Sequence, residues 1–110
     1  MNRKFFSVII PVLVLMVPLL LVAGGDAETG KRVFKKRYAM CHAADGTGNA
    51  KMAKMLKVEI KDLGSEAMQV LSDEEIAKII AEGKGKMKTV KGTGKEDIAN
   101  IIAFVRTLKK

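Results

Sequence analysis

The sequence predicts an all-α protein, and three observations support that prediction. Three segments place apolar residues at the three- and four-residue spacing of an amphipathic helix. Beyond residue 27, no stretch alternates apolar and polar residues for long enough to predict a strand. Glycine-punctuated loops separate the helical segments at residues 45–49 and 83–92.

The first predicted helix runs from about Thr29 to Met40. Gly30, Val33, Phe34 and Tyr38 share one of its faces, while the lysines and arginine between them face water. The pattern therefore predicts that this face packs on another element.

The second predicted helix covers residues 73–82. Ser72 and Glu75 have the spacing of a capping box, and Gly83 is a stop signal. Its apolar stripe comprises Ile76, Ile79 and Ile80.

The third predicted helix covers residues 94–108, with a second capping box expected from Thr93 and Glu96. We place Phe104 at the edge of its apolar stripe, which comprises Ile98, Ile101, Ile102, Val105 and Leu108. Two shorter helices are predicted at residues 50–56 and 65–71.

The N-terminal segment is typical of a secretory signal peptide rather than of the folded domain. Arg3 and Lys4 precede an apolar run over residues 5–22, and small residues follow over 23–27. We expect a signal peptide at 1–27, cleaved after Ala27 or after Gly24 or Gly25, and a domain at 28–110. The alternative is an uncleaved membrane anchor, since the run has nearly the length that spans a bilayer.

Charge and size restrict the function of the exported domain. The 110-residue chain has a net charge of +8, and removing residues 1–27 leaves 18 basic against 11 acidic residues, or +7. Export separates the domain from nucleic acid, so its positive charge favours acidic proteins or an anionic membrane surface as partners. A chain of 83 residues without a disulfide buries too little surface to be stable alone, which predicts a cofactor.

Cys41 and His42 are adjacent, and each is the only residue of its kind in the chain. A multi-Cys metal cage is therefore excluded. A Cys–His protease is disfavoured as well, because neighbouring residues do not face each other across a cleft. The remaining interpretations are a structural thiol beside a surface imidazole, or a cofactor site.

The segment from Tyr38 to His42 resembles the haem attachment segment of class I cytochromes c, whose motif is Cys-x-x-Cys-His. Gly30 and Phe34 resemble positions of that family's N-terminal helix. Residues 98–108 are similar to its C-terminal helix, and residues 72–87 to the helix and loop before its axial methionine. The resemblance covers residues 28–110 and implies N- and C-terminal helices packed together, with shorter helices around a haem.

The resemblance also implies a role for each site residue. Cys41 would form a thioether to one haem c, and His42 and Met87 would be the axial iron ligands. Tyr38 occupies the position of the family's first cysteine, which leaves a single thioether. Lys88 follows Met87 where the family often has proline, so Lys86 and Lys88 place two further potential ligands beside the iron.

The function that the resemblance implies is electron transfer without catalysis by a monomeric periplasmic protein. Its iron would cycle between Fe(II) and Fe(III), and Lys84, Lys86, Lys88 and Lys91 would face redox partners with acidic surfaces. Two alternatives remain. One is a haem or copper binding module that is not a carrier, with Met52 and Met55 as candidate copper ligands. The other is an apo protein that lost haem attachment with Tyr38. We expect Met40, Met52, Met55 and Met68 to fill gaps in the core.

Overall fold

A computed structural model describes residues 24–110, which form six helices. In order they are α1 (Ala27–Arg37), α2 (Ala39–His42), α3 (Ala50–Leu56), α4 (Glu66–Gln69), α5 (Asp73–Glu82) and α6 (Lys95–Thr107). Within that range no strand forms, and the β-type pairing found there is one isolated bridge between Lys84 and Met87. The all-α prediction is confirmed.

The two terminal helices, α1 and α6, make the main packing contact of the fold. Their backbones meet at Gly30, where an added Cβ would lie 1.8 Å from the Asn100 carbonyl oxygen. Asn100 is buried and accepts a hydrogen bond at 2.7 Å from the backbone N–H of Asp26. The predicted face of the first helix therefore packs on the C-terminal helix, with glycine required at the crossing.

The core lies between α1, α5 and α6 and is centred on Phe34, which is 2% exposed. Its ring lies 5.1 Å from that of Phe104 and 5.9 Å from that of Tyr38, measured between centroids. Phe104 is itself buried. Phe104, predicted at the edge of the apolar stripe, is thus part of the core, because Phe34 of α1 packs on that side of α6.

Three of the predicted helices agree closely with the structure. The helix over 50–56 and the helix over 73–82 have the predicted bounds, and α4 lies inside the predicted 65–71 segment. Both reciprocal hydrogen bonds of the Ser72–Glu75 capping box form, at 3.0 and 2.9 Å. Gly83 ends α5 at a φ of +81° that favours glycine.

Two helix predictions need correction. The predicted helix over 29–40 begins earlier, because Asp26 caps it, and it breaks at Tyr38 into α1 and α2. The second capping box does not form, since Gly94 is the N-cap of α6 and no side chain caps that end. Instead, the Thr93 hydroxyl faces α1, where it lies 3.2 Å from Arg37 Nη1.

Arg106 of the C-terminal helix bonds to the segment between α4 and α5. Its guanidinium donates hydrogen bonds to the carbonyl oxygens of Gln69 and Leu71, at 2.9 and 2.6 Å. It also pairs with Asp73 at 2.7 Å. The start of α5 is thereby fixed relative to α6.

Most of the predicted signal segment, residues 1–23, lies outside the described residues. Residues 24–27 lie within the described range, and there the Asp26 carboxylate accepts a hydrogen bond from the Thr29 backbone N–H at 3.2 Å. The hydrogen bond from the Thr29 hydroxyl, followed by this one from the Thr29 backbone N–H, lowers the pKa of the Asp26 carboxyl. Over residues 24–110, no helix is both long and apolar enough to cross a membrane.

Candidate haem site

Helix α2 carries Cys41 and His42, and the loop that follows holds it in place. The backbone N–H of Asn49 donates to the Cys41 carbonyl at 2.9 Å, and that of Gly48 to the His42 carbonyl at 2.8 Å. The Asn49 side chain adds a hydrogen bond to the Met40 carbonyl at 3.0 Å. The glycine-containing loop thus satisfies the carbonyls at the C-terminal end of α2, which a helix leaves unpaired.

His42 and Met87 line the same cavity, although 44 intervening positions separate them in the sequence. The cavity has a volume of about 90 Å³. Its other walls are almost all apolar and comprise Phe34, Tyr38, Leu63, Met68, Ile76, Ile79, Ile80, Ile101 and Val105. The fold therefore brings an imidazole and a thioether together in an apolar environment, next to the only thiol of the chain.

The electrostatics of His42 favour its neutral, metal-binding form. Burial lowers the pKa of the imidazole below its usual value, because the charged form loses solvation. The Nδ1 atom of His42 is buried and has no hydrogen-bond partner among residues 24–110. A buried polar atom of this kind needs a partner. These properties, together with the thioether on the same cavity, fit a haem iron.

Met87 occupies a tight turn after α5. Lys84 and Met87 exchange two backbone hydrogen bonds of 2.8 and 2.9 Å. Gly83 allows this turn, since a Cβ there would lie 2.6 Å from the Met87 carbonyl oxygen. The Lys86 ammonium donates to the Leu56 carbonyl at 2.8 Å and so ties the turn to the end of α3. Met87 is half-buried between exposed lysines.

The other methionines of residues 24–110 differ in burial and in whether they line the cavity. Met68 lines the His42 cavity, as a core gap-filler would. Met40 and Met55 are 72% and 65% exposed, so their predicted place in the core is wrong. The apolar spacing of α3 therefore does not bury Met55 among residues 24–110. Met52 is half-buried and does not line the cavity.

Tyr38 is a buried core residue at the break between α1 and α2. Its carbonyl accepts hydrogen bonds from the backbone N–H groups of Cys41 and His42, at 3.2 and 2.9 Å. Its ring stacks on Phe34 and lines the cavity, and its hydroxyl oxygen lies 3.4 Å from that of Thr93. The sequence placed Tyr38 on the apolar face that carries Phe34 and, by resemblance, at the position of the family's first cysteine, but it gave no signal for the contact with Thr93.

A second, larger groove of about 920 Å³ lies between α5 and α6, beside Gly24 and Gly25. Its lining combines small residues such as Ala77 and Ala99 with charged residues such as Asp73 and Lys95. Among the described residues that line it, none is a histidine, cysteine or methionine. By contrast, His42, Met68 and Met87 all line the smaller cavity.

Comparison with known proteins agrees with this geometry. Residues 27–109 match the family described as cytochrome c, and the chain belongs to that family. A solved structure described as "KustC0563 c-type cytochrome" is similar, with a TM-score of 0.62 and 25% sequence identity. That match covers 74% of this chain and 98% of the other. Membership of the family implies haem c and haem-based electron transfer.

Proposed function

We propose that this protein is an exported monohaem electron carrier in which Cys41 attaches the haem and His42 and Met87 ligate its iron. The observation that carries the proposal is the convergence of His42 and Met87 on one apolar cavity beside Cys41. When bound, the haem iron takes up and releases one electron. The protein catalyses no change in a substrate.

Each residue has a distinct task in this proposal. The Cys41 thiol adds across a haem vinyl group, so that sulfur bonds one carbon, hydrogen the other, and no net oxidation occurs. His42 binds as a neutral imidazole, the form that its burial favours. The Met87 thioether is a soft ligand that raises the reduction potential relative to a second nitrogen ligand.

The apolar residues of the cavity wall would keep water away from the iron. Side chains of α5 and α6 line the cavity, which favours a high potential through a low local dielectric.

The alternative functions have less support in the structure. A copper site built on Met52 and Met55 would lie away from His42, because neither methionine lines its cavity. In addition, no group of three or more His, Cys, Asp or Glu residues within residues 24–110 is placed to hold a metal ion. The apo alternative rests on Tyr38 alone, and Cys41 still provides one thiol.

We propose redox proteins with acidic docking surfaces as the partners. Lys84, Lys86, Lys88 and Lys91 are all exposed in and beyond the turn that carries Met87. Positive charge around the proposed haem edge accelerates encounter with an acidic surface without requiring tight binding. The carrier is proposed to act as a monomer.

Export to the periplasm is part of the same proposal, since cytochrome c domains are usually exported. We place the cut after Gly24 or Gly25, because Asp26 caps α1 and its N–H donates to Asn100. A cut after Ala27 would delete that cap. The mature chain then keeps all 12 acidic residues against 18 basic ones, a net charge of +6. An uncleaved segment would instead anchor the domain to the membrane.

The test compares visible spectra of the purified wild type, Met87→Ala and Met68→Ala. We expect wild type to show haem bands that shift on reduction, and a sulfur-to-iron charge-transfer band when oxidised. Met87→Ala should lose the charge-transfer band and keep the haem. Met68→Ala is the matched control, because it removes the other thioether that lines the cavity.

The outcomes separate the alternatives. Loss of the band in Met68→Ala but not in Met87→Ala would transfer the ligand role to Met68. A colourless protein would favour the apo alternative, and copper binding without haem bands would favour the metal-binding module.

A further inference from the structure

The residue that replaces the family's first cysteine makes contacts that link the two halves of the candidate site. Tyr38 is 7% exposed and lies directly before α2, which carries Cys41 and His42. Its hydroxyl reaches Thr93, at the far end of the segment that carries Met87. We call residues 83–93 the methionine loop.

The Thr93 side chain contacts two neighbouring residues at the end of α1. Its hydroxyl lies 3.4 Å from the Tyr38 hydroxyl and 3.2 Å from Arg37 Nη1. Both contacts come from the end of α1, and they bridge 55 and 56 positions of sequence. The same hydroxyl is the one expected to cap α6, so its orientation toward α1 accounts for the uncapped start of that helix.

The rest of the methionine loop has few polar connections to the body of the protein, although Met87 and Val90 pack, partly buried, against the core. Its first part is tied by the Lys84–Met87 turn and by Lys86, whose ammonium is exposed. Residues 88, 89, 91 and 92 are exposed. No proline restricts the backbone within the loop. The contact at Thr93 is therefore the main polar connection at its second end.

We infer that Tyr38 is a positioning residue, whose hydroxyl, together with Arg37, holds Thr93 and thereby the methionine loop over the His42 side of the cavity. The inference rests on the proposed ligation by Met87. In this assignment, the replacement of cysteine by Tyr38 removes one thioether to the haem and also adds a new contact within the protein. It replaces a covalent link to the cofactor by a link between α1 and the loop.

The test measures how easily imidazole replaces the sixth ligand of the oxidised holoprotein at a fixed, near-neutral pH. Imidazole binds only when Met87 has left, so its apparent affinity reports the fraction of open loop. Tyr38→Phe removes one hydroxyl and keeps the ring on Phe34. A neutral hydrogen bond of this kind corresponds to an increase of roughly two- to tenfold in apparent affinity. Thr93→Val should have a larger effect, because it removes both contacts.

Two comparisons make the result specific. Thr89→Val alters an exposed threonine of the same loop and should leave imidazole affinity unchanged. The double variant Tyr38→Phe/Thr93→Val should behave like Thr93→Val alone, because both changes break the same contact. In amide hydrogen exchange of the holoprotein, Tyr38→Phe should accelerate residues 84–93 and leave α1 and α6 unchanged.

Several results would overturn the inference. Unchanged imidazole affinity in both Tyr38→Phe and Thr93→Val would do so, as would faster exchange throughout α1 and α6, which indicates general destabilisation. Wild type without a sulfur-to-iron band would instead refute ligation by Met87, so failure of the proposed function is distinguishable. An effect of Thr89→Val equal to that of Thr93→Val would also contradict the specific contact.

Discussion

Replacing Gly30 by alanine tests the contact on which the fold depends. In an isolated helix this change would be favourable by about 1 kcal/mol, because alanine is the better helix former. In the structure, the new Cβ would lie 1.8 Å from the Asn100 carbonyl oxygen and 2.4 Å from its carbon. Both neighbours are backbone atoms, so no side-chain rotation relieves the clash.

The structure sets the size of the expected effect. Ordinary contact begins at 3.4 Å, so the separation must grow by about 1.6 Å. That shift also weakens the packing of Phe34 on Phe104, whose rings now lie 5.1 Å apart. Overpacking a core costs roughly 1–3 kcal/mol, and the backbone position of the clash favours the upper end. For a domain of this size, about 2–3 kcal/mol lowers the melting temperature by roughly 10–20 °C.

Thermal unfolding of the holoprotein, followed by far-ultraviolet circular dichroism, measures the change. Gly94→Ser is the matched control, because nothing lies within 4 Å of a Cβ there and serine is a good N-cap for α6. It should change stability by only a few tenths of a kcal/mol, in the favourable direction. A melting temperature of Gly30→Ala equal to or above that of wild type would refute the close helix crossing.

Three further predictions concern the cofactor and the N-terminus. Acid–acetone extraction should leave haem on wild type and release it from Cys41→Ala. Tyr38→Cys should shift the pyridine haemochrome α band to shorter wavelength, because a second vinyl group becomes saturated. An unchanged band together with an unchanged yield of holoprotein would contradict the single thioether. Mass spectrometry of the exported protein should find a mature chain that begins at Gly25 or Asp26 and so retains the Asp26 cap, whereas a chain that begins at Glu28 would show that the fold tolerates loss of that cap.

Much of the secondary structure is determined locally by the sequence. The Ser72–Glu75 pair and Gly83 define both ends of α5, because capping bonds and a positive φ involve only neighbouring residues. The apolar stripes of α1 and α6 likewise predict which faces are buried, since helical spacing places those residues on one side. The adjacency of Cys41 and His42 left a structural thiol and a cofactor site both open, and the resemblance of residues 38–42 to a haem attachment segment made the pair a candidate site.

Other features depend on which elements meet in space. The hydroxyl of Thr93 has a capping position in the sequence, yet it faces Tyr38 and Arg37 because α1 ends beside it. Met55 follows an apolar spacing, but within residues 24–110 its side chain stays largely exposed. The sequence alone could not place Met68 on the same cavity as Met87, because the two lie on different elements.

The difference between features that the sequence determines and features that the tertiary structure determines has a physical cause. Helix ends and turns follow from interactions within a few residues, so the sequence by itself determines them. The adjacency of Cys41 and His42 is likewise given by the sequence. The approach of Met87 to His42 and the contact of Tyr38 with Thr93 depend on the packing of α1 against α6. That packing is decided by close contact at Gly30, where the Asn100 backbone leaves no room for a side chain. Only the tertiary structure therefore shows how the parts of the site are assembled.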